Sequence, residues 1–479
     1  MKTKSISKNY IYNLIYQLLI LFLPLITVPY ISRVLGAENI GIYSYTISIT
    51  TYFITFASLG MALYGQREIA FNQNNKKQYS KIFYEIVTLR LIMLFISLII
   101  FYFVFVLGNN DYSTYYKVLC LEIIANVFDI SWFFQGLEEF KKTVFRNIIV
   151  KLVSLVAIFV FVKTKDDLII YFIIYVLSTF LGNISLWFYL PRYLDKIKIK
   201  ELKIFKHLKP TIALFIPQIA IQVYTLLDKT MIGAIISDKT EVGYYDQAQK
   251  IIKMLLTIIT SLGTVMMPRI ASTYAEGNNK KILDYLYKSF RMVLMLSIPM
   301  ILGIIVISDS FVPIFFGKGY KNVSLLMKVI SPILLLIGLS NVCGTQYLLP
   351  TKRQKEFTIS VVGGAIINFI INMLLIPKYG ALGASIGTVI AELSVTLVQI
   401  YYVRNDFNFK KIIKMSFNYI LASIIMFISC FLIGYLINNN LYSLLTKLTI
   451  GVLIYGITLF LLKDEFILNL LNKIRKKVC

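Results

Sequence analysis

The sequence predicts an all-α integral membrane protein of about fourteen transmembrane helices. Two pseudo-symmetric six-helix bundles are expected around a central cavity, with two further helices at the C-terminal end. Three observations lead there. Hydrophobic residues make up 58% of the 479 and charged residues 15%, with mean hydropathy +0.74, which excludes an ordinary soluble globule. Apolar runs long enough to cross roughly 30 Å of hydrocarbon as helices of about 20 residues recur along the chain. A weak internal repeat also keeps one offset, about 202 residues. ENIGIYSY near residue 41 resembles TEVGYYDQ near 243, SLGM at 58–61 resembles SLGT at 261–264, and REIA at 67–70 resembles PRIA at 268–271. An even number of helices per unit makes such repeats parallel, with an axis along the membrane normal and a cleft between them.

The first lobe (1–205) holds spans 9–31, 40–63, 83–107, 114–137, 145–163 and 168–190. Its first span follows Lys2, Lys4 and Lys8, but it is too long for a signal peptide and lacks a small-residue cleavage site, so it reads as a retained helix. The second lobe (206–405) holds spans 210–234, 243–268, 289–310, 323–349, 356–377 and 381–403. Spans 415–437 and 444–462 and a basic tail complete the chain (406–479). Pro24, Pro217 and Pro299 fall inside spans, where proline makes either a static kink or a hinge.

Net charge is +25, a value that in a soluble protein would suggest nucleic acid. Of the 49 Lys and Arg residues, however, about 34 lie on the two termini and every second loop, and only about 8 on the intervening loops. The charge therefore reports topology. Both termini are expected in the cytoplasm, and nucleic acid is not a partner.

Catalytic chemistry finds little support. Cys120, Cys343, Cys430 and Cys479 have no metal-ligand spacing and read as buried or unreactive thiols; no metal site is expected. The single histidine, His207, lies in the basic loop KIKIKELKIFKHLK and reads as a solvated loop residue. No GxxxxGK loop is present, and the predicted loops leave no room for a catalytic domain.

Polar residues three or four apart share a helix face, and several spans carry such a stripe. Span seven has Gln218, Gln222, Thr225 and Lys229, and span eight has Asp246, Lys250, Lys253, Thr257 and Thr264. Glu122, Asn126 and Asp129 mark span four; Ser385, Thr388, Glu392, Thr396 and Gln399 mark span twelve. Arg90, Lys151 and Lys328 are isolated cations in spans three, five and ten. An ionisable group near mid-bilayer costs about 2.5–3.5 kcal/mol, so such groups pair with one another or line water. Pairing is open to Asp228 beside Lys229 and to Asp246 with Lys250 at i,i+4, while Lys151 and Lys229 can snorkel to the headgroups. The set as a whole favours water. Arg90, Lys151, Lys229, Lys250, Lys253 and Lys328 outnumber the carboxylates near them in sequence and fall in both halves. A hydrated, net positive cleft explains that excess and suits an anionic substrate.

The stretch FDISWFFQGLEEFKK at 128–142, the following RNIIVKLVSLVAIFVFVKTKDDLIIYF, the early LPLITVPYISRVLGAENIGIYSY and the late NFIINMLLIPKYGALGASIGTVIAE resemble bacterial polysaccharide repeat-unit flippases of the Wzx type. That family belongs to the superfamily of multidrug exporters and the lipid II flippase. The resemblance runs to about residue 405. It implies a non-enzymatic carrier that moves an undecaprenyl-pyrophosphate-linked oligosaccharide across the bacterial cell membrane by alternating access, for capsule, exopolysaccharide or O-antigen-type polymer. Arg33, in PYISRVLG, matches a frequent basic position of the family and joins the cation set. Asp129, Trp132, Gln135 and Glu138 fall at the cytoplasmic end of span four, as substrate contacts or as bundle contacts.

Directional transport needs an energy source. Glu122, Asp129, Asp228 and Glu392 are the candidate carboxylates for coupling to H+, with Na+ or membrane potential as alternatives; no other cofactor is expected. The expected partners are the lipid-linked oligosaccharide, membrane lipids, and polymerase and chain-length machinery, around a monomer. Rival readings are a lipid II or drug exporter of the same fold and, from another class, a membrane polysaccharide polymerase or acyltransferase. A cation exporter wants an acidic cleft, and an acyltransferase wants a membrane-embedded histidine.

Overall fold

The computed structural model describes residues 6–108, 111–437 and 439–464, with side chains from residue 23 onward except at 216–218, 220 and 221. Among these the secondary structure is helical, with no strand. Among the described residues eleven helical segments, some covering two predicted spans, are long and apolar enough to cross a membrane, so the chain is a multi-pass membrane protein.

Two helices are far longer than one crossing needs. Helix α1 (Ile6–Ser58) has 53 residues and α13 (Gln354–Val403) has 50. At 1.5 Å per residue each measures about 75–80 Å, more than twice the hydrocarbon thickness. Each is two helices that meet at a glycine with positive φ: Gly36 (φ 78°, ψ 171°) and Gly380 (φ 53°, ψ −128°). Side chains with a Cβ avoid those angles, so a glycine is required at both breaks. The breaks fall where the sequence separates spans 9–31 from 40–63 and 356–377 from 381–403. The helices run on without a break through Pro24 in α1 and through Pro299 in α10 (Asn279–Phe315).

Asparagine starts several helices by accepting a main-chain N–H that has no partner inside the helix. Asn75 caps α3 (Lys76–Phe101) through Gln78 N at 3.1 Å, and Asn278 caps α10 through Lys281 N at 3.1 Å. These two caps are 203 residues apart, matching the sequence repeat. Asn408 and Asn439 do the same for α14 (Phe409–Leu436) and α15 (Asn440–Leu461).

Contacts divide the chain into two units: residues up to Gly233 with Asp238–Val242, and Ala234–Ser237 with everything from Gly243. In the first unit, α2 (Met61–Phe71), α3 and α5 (Ser131–Gly136) enclose an aromatic core in which Phe83 stacks on Trp132 at 5.7 Å. Outer faces are apolar as well. On α6 (Phe140–Phe161) Phe145, Ile149, Leu152, Val156 and Val160 form an exposed stripe at helical spacing, the surface expected toward lipid. The second unit packs α14 and α15 on α10 through Val306, Met426 and Cys430.

Candidate functional site

In the first unit the fourth span is broken. Helix α4 (Ser113–Val127) stops, and α5 begins only at Ser131, so carbonyls at the break lose their helical donors. Arg90 of α3, only 3% exposed, supplies two: Nη2 donates to Asn126 O at 2.7 Å and Nη1 to Asp129 O at 2.6 Å. Trp187 Nε1 donates to Phe128 O at 2.8 Å. The Asp129 carboxylate then caps α5, accepting from Ser131 N at 2.9 Å and from the Ser131 hydroxyl. Arg146 of α6 donates to Ser131 Oγ at 2.6 Å and to Asn183 Oδ1, and its guanidinium lies 3.6 Å from Asp129 Oδ1. Buried Glu122 accepts from Asn126 Nδ2 at 2.9 Å beside Tyr175 and Thr179 of α7 (Leu168–Ser185).

Four residues singled out in the sequence, Arg90, Glu122, Asn126 and Asp129, thus belong to one network that holds a broken helix together. Arg146 and Asn183 complete it and were missed. Both lie inside predicted spans, so the isolated-cation criterion that selected Arg90 would have found Arg146, whereas it does not select the neutral Asn183.

The WFFQGLE segment is packing. An added Cβ at Gly65 would come within 2.5 Å of the Trp132 ring, and one at Gly136 within 2.8 Å of Gln66 O, so both glycines let α5 lie directly on α2. Gln135 is half-buried and Glu138 is exposed at positive φ (58°). The downstream KDD segment is a helix start: Asp167 accepts from Lys163 N and Thr164 N, and Asn39 donates to Lys165 O at 2.7 Å.

His207 is not a solvated loop residue. Only 2% exposed, it places Nε2 2.8 Å from Glu85 Oε2 and Nδ1 2.8 Å from the Tyr64 hydroxyl. A neutral ring protonated on Nε2 satisfies both, donating to Glu85 and accepting from Tyr64. Glu85, fully buried, also accepts from Lys203 N at 2.7 Å and pairs with Lys206 at 2.7 Å. The basic loop is thereby tied to α2 and α3, and burial lowers the His207 pKa below its ordinary value, against the Glu85 hydrogen bond that raises it.

In the second unit the α13 stripe is buried. Thr388 Oγ1 lies 2.9 Å from the Tyr245 hydroxyl, which accepts from Gln249 Nε2 at 2.6 Å; Gln399 donates to Ser360 Oγ at 3.0 Å, and Thr396 to Leu336 O at 3.0 Å. Glu392 is buried on the same stripe. Asp246, 2% exposed, pairs with Lys250 at 2.6 Å, the i,i+4 contact allowed by the sequence. Lys328 of α11 (Lys321–Ile330) pairs with Asp309 of α10 at 2.6 Å.

The other selected residues are more dispersed. Arg33, Thr225 and Lys253 are exposed, Gln222 and Lys229 half-buried, and Asp228 buried. Lys151, half-buried on α6, makes no ion pair or hydrogen bond among the described residues. The side chain of Gln218 lies outside the described residues.

The described residues form an all-helical multi-pass membrane fold whose polar groups are joined in buried networks, the class of fold that its solved structural relatives share. Residues 6–274, more than half of the chain, match the family model described as polysaccharide biosynthesis protein, and residues 213–374 match the MatE family. The chain belongs to the polysaccharide biosynthesis protein family. It is 27% identical over 406 residues to a candidate O-antigen transporter of Escherichia coli (strain K12), covering 84% of this chain and 97% of that one. It is 22% identical over 401 residues to the capsular polysaccharide biosynthesis protein CapF of Staphylococcus aureus, covering 82% and 98%. Among solved structures, the lipid II flippase MurJ in an inward closed conformation superposes with TM-score 0.76 at 18% identity over 96% of this chain and 100% of that one. A multidrug resistance MATE family transporter in an inward-facing conformation gives 0.61 at 12% identity over 82% and 95%. At these identities the two structures establish a shared fold.

Proposed function

We propose that this protein is a flippase that carries undecaprenyl-pyrophosphate-linked oligosaccharide repeat units from the cytoplasmic to the outer leaflet of the bacterial cell membrane. The observation that carries the reading is the family match over residues 6–274 within a fold shared with a lipid II flippase. Relatives described as an O-antigen transporter and a capsular polysaccharide biosynthesis protein support the same substrate class.

In this reading the pyrophosphate is met by intramembrane cations, since its charge does not cross hydrocarbon unaided, and access alternates between the two membrane faces. Lys151, Lys229, Lys253 and Arg33 are the cations we assign to substrate, with polar support from Gln222 and Thr225. Arg90 and Lys328 are assigned to holding the fold: Arg90 ties α3 to the break in the fourth span, and Lys328 joins α11 to α10 through Asp309. The lobes taken for the cycle are 1–205 and 206–405, with 406–479 appended and both termini cytoplasmic. Glu122, Asp228 and Glu392, all buried, are the carboxylates assigned to H+ or Na+ coupling. The carrier acts as a monomer that hands its cargo to polymerase and chain-length machinery.

Reconstitution into proteoliposomes with a pyrophosphate-linked oligosaccharide on one leaflet tests this. Wild-type protein is expected to deliver the oligosaccharide to the opposite leaflet, and Lys151→Gln/Lys253→Gln to deliver it at least about tenfold more slowly while remaining folded. Absence of transport under imposed proton, sodium and voltage gradients alike would reject the proposal.

A further inference from the structure

We propose that the cavity between α10, α11, α14 and α15 binds the phosphate of an anionic phospholipid, at a place separate from the residues assigned to the transported substrate. The cavity volume is about 320 Å³, within the range of small-molecule sites, and its wall includes Asp309, Lys328, Lys447, Phe431, Gly434 and Tyr435.

Its charges do not balance. Two ammonium groups face one carboxylate. Asp309 is already committed: Lys328 donates to both of its oxygens, at 2.8 and 2.6 Å, and Ser324 donates as well. Lys447 is 8% exposed, and the only hydrogen bond of its ammonium among the described residues is a long one, Nζ to Val306 O at 3.3 Å. A snorkelling lysine would present its ammonium to the surface, whereas this one is enclosed in the cavity wall. One monovalent anion would neutralise the site, and a phosphodiester supplies that charge together with several acceptor oxygens.

Depth and shape agree. Lys447 and Lys328 each lie seven residues from the start of their helices, and Asp309 six from the end of α10, so all three sit roughly 10 Å from a helix end, within reach of headgroups. Gly434 leaves room for the ammonium, because a Cβ there would stand 2.9 Å from Lys447 Nζ. Beside the cavity Phe431, Tyr435 and Leu436 are 48%, 74% and 82% exposed, an apolar face along which acyl chains can lie. A free phosphate would have no use for that face.

The full-length protein in neutral detergent provides the test, read as lipid copies retained in native mass spectrometry and as the thermal midpoint. Phosphatidylglycerol is expected to bind and to raise the midpoint, and phosphatidylcholine and inorganic phosphate to do so at least about tenfold more weakly. Lys447→Gln should lose about tenfold in phosphatidylglycerol affinity. Gly434→Ala, which keeps every charge but crowds the ammonium, should weaken it too. Equal binding of both phospholipids, or unchanged binding in both variants, would overturn the proposal. Stabilisation by inorganic phosphate equal to that by phosphatidylglycerol would overturn the lipid assignment and leave a free-anion site.

Discussion

Arg90 Nη1 donates to the main-chain carbonyl oxygen of Asp129 across 2.6 Å, from a side chain that water scarcely reaches. The contact ties α3 to the break in the fourth span. Replacing it by glutamine removes two charge-assisted hydrogen bonds, to Asn126 O and Asp129 O, which a shorter neutral amide does not reproduce together, and each such loss costs about 1–3 kcal/mol. Arg90→Gln is therefore expected to lower thermal stability in detergent by about 2–3 kcal/mol, with Arg90→Lys retaining part of it. Transport per folded molecule should change little; a stable Arg90→Gln protein with abolished transport would move Arg90 into the substrate site.

Gly65 and Trp132 make the second prediction. Gly65→Ala puts a methyl within 2.5 Å of the indole, so α2 and α5 must separate, at a cost of about 1–3 kcal/mol. Trp132→Ala opens a cavity in the same core and should cost about 3–5 kcal/mol. Both are read from the unfolding midpoint.

The Asp246–Lys250 pair predicts non-additivity. Lys250→Ala removes the ammonium from buried Asp246 and, with Lys250 itself partly exposed, should destabilise by about 1–3 kcal/mol, whereas Asp246→Asn/Lys250→Gln together should recover most of that loss. The double variant is also the proper background for transport assays. A full loss of transport in a stable double variant would give the pair a role in the cycle beyond folding.

The tie between His207, Glu85 and Tyr64 predicts a dependence on pH. Burial holds the folded-state His207 pKa below its ordinary value, 6.5, so as pH falls the unfolded chain takes up the proton first. The stabilisation is complete above pH 6.5 and is lost as pH drops through the folded value. His207→Gln should remove that part of the slope in a plot of midpoint against pH, and an unchanged slope would assign the titration elsewhere.

Much of this was legible in the sequence because hydrocarbon is a strict solvent. Apolar run length alone yields a multi-pass helical protein, and the division points at Gly36 and Gly380 follow from short polar breaks inside long apolar runs. The i,i+4 spacing of Asp246 and Lys250 was sufficient to suggest their pair, since both atoms belong to one helix face. Family membership, too, was readable in the local segment WFFQGLE, which lies inside the matched residues 6–274, while IPKYGALGAS speaks for the fold.

Contacts between residues distant in sequence were decided by tertiary structure. Arg90 looked like a spare cation until the break 36–39 residues downstream offered it carbonyls, and no pattern near residue 90 announces that partner. His207 looked solvated because its neighbours in sequence are lysines, yet its partners Glu85 and Tyr64 arrive from 122 and 143 residues away. Lys447, a cation inside span 444–462, was as visible as Arg90 and was passed over, while Lys328 counted as isolated because its pairing with Asp309 and the cavity around them form only once four helices pack. Sequence periodicity determines which residues share a face of one helix; which charge meets which acceptor is set by the packing of separate helices, where an unmet buried group is costly enough to select the arrangement.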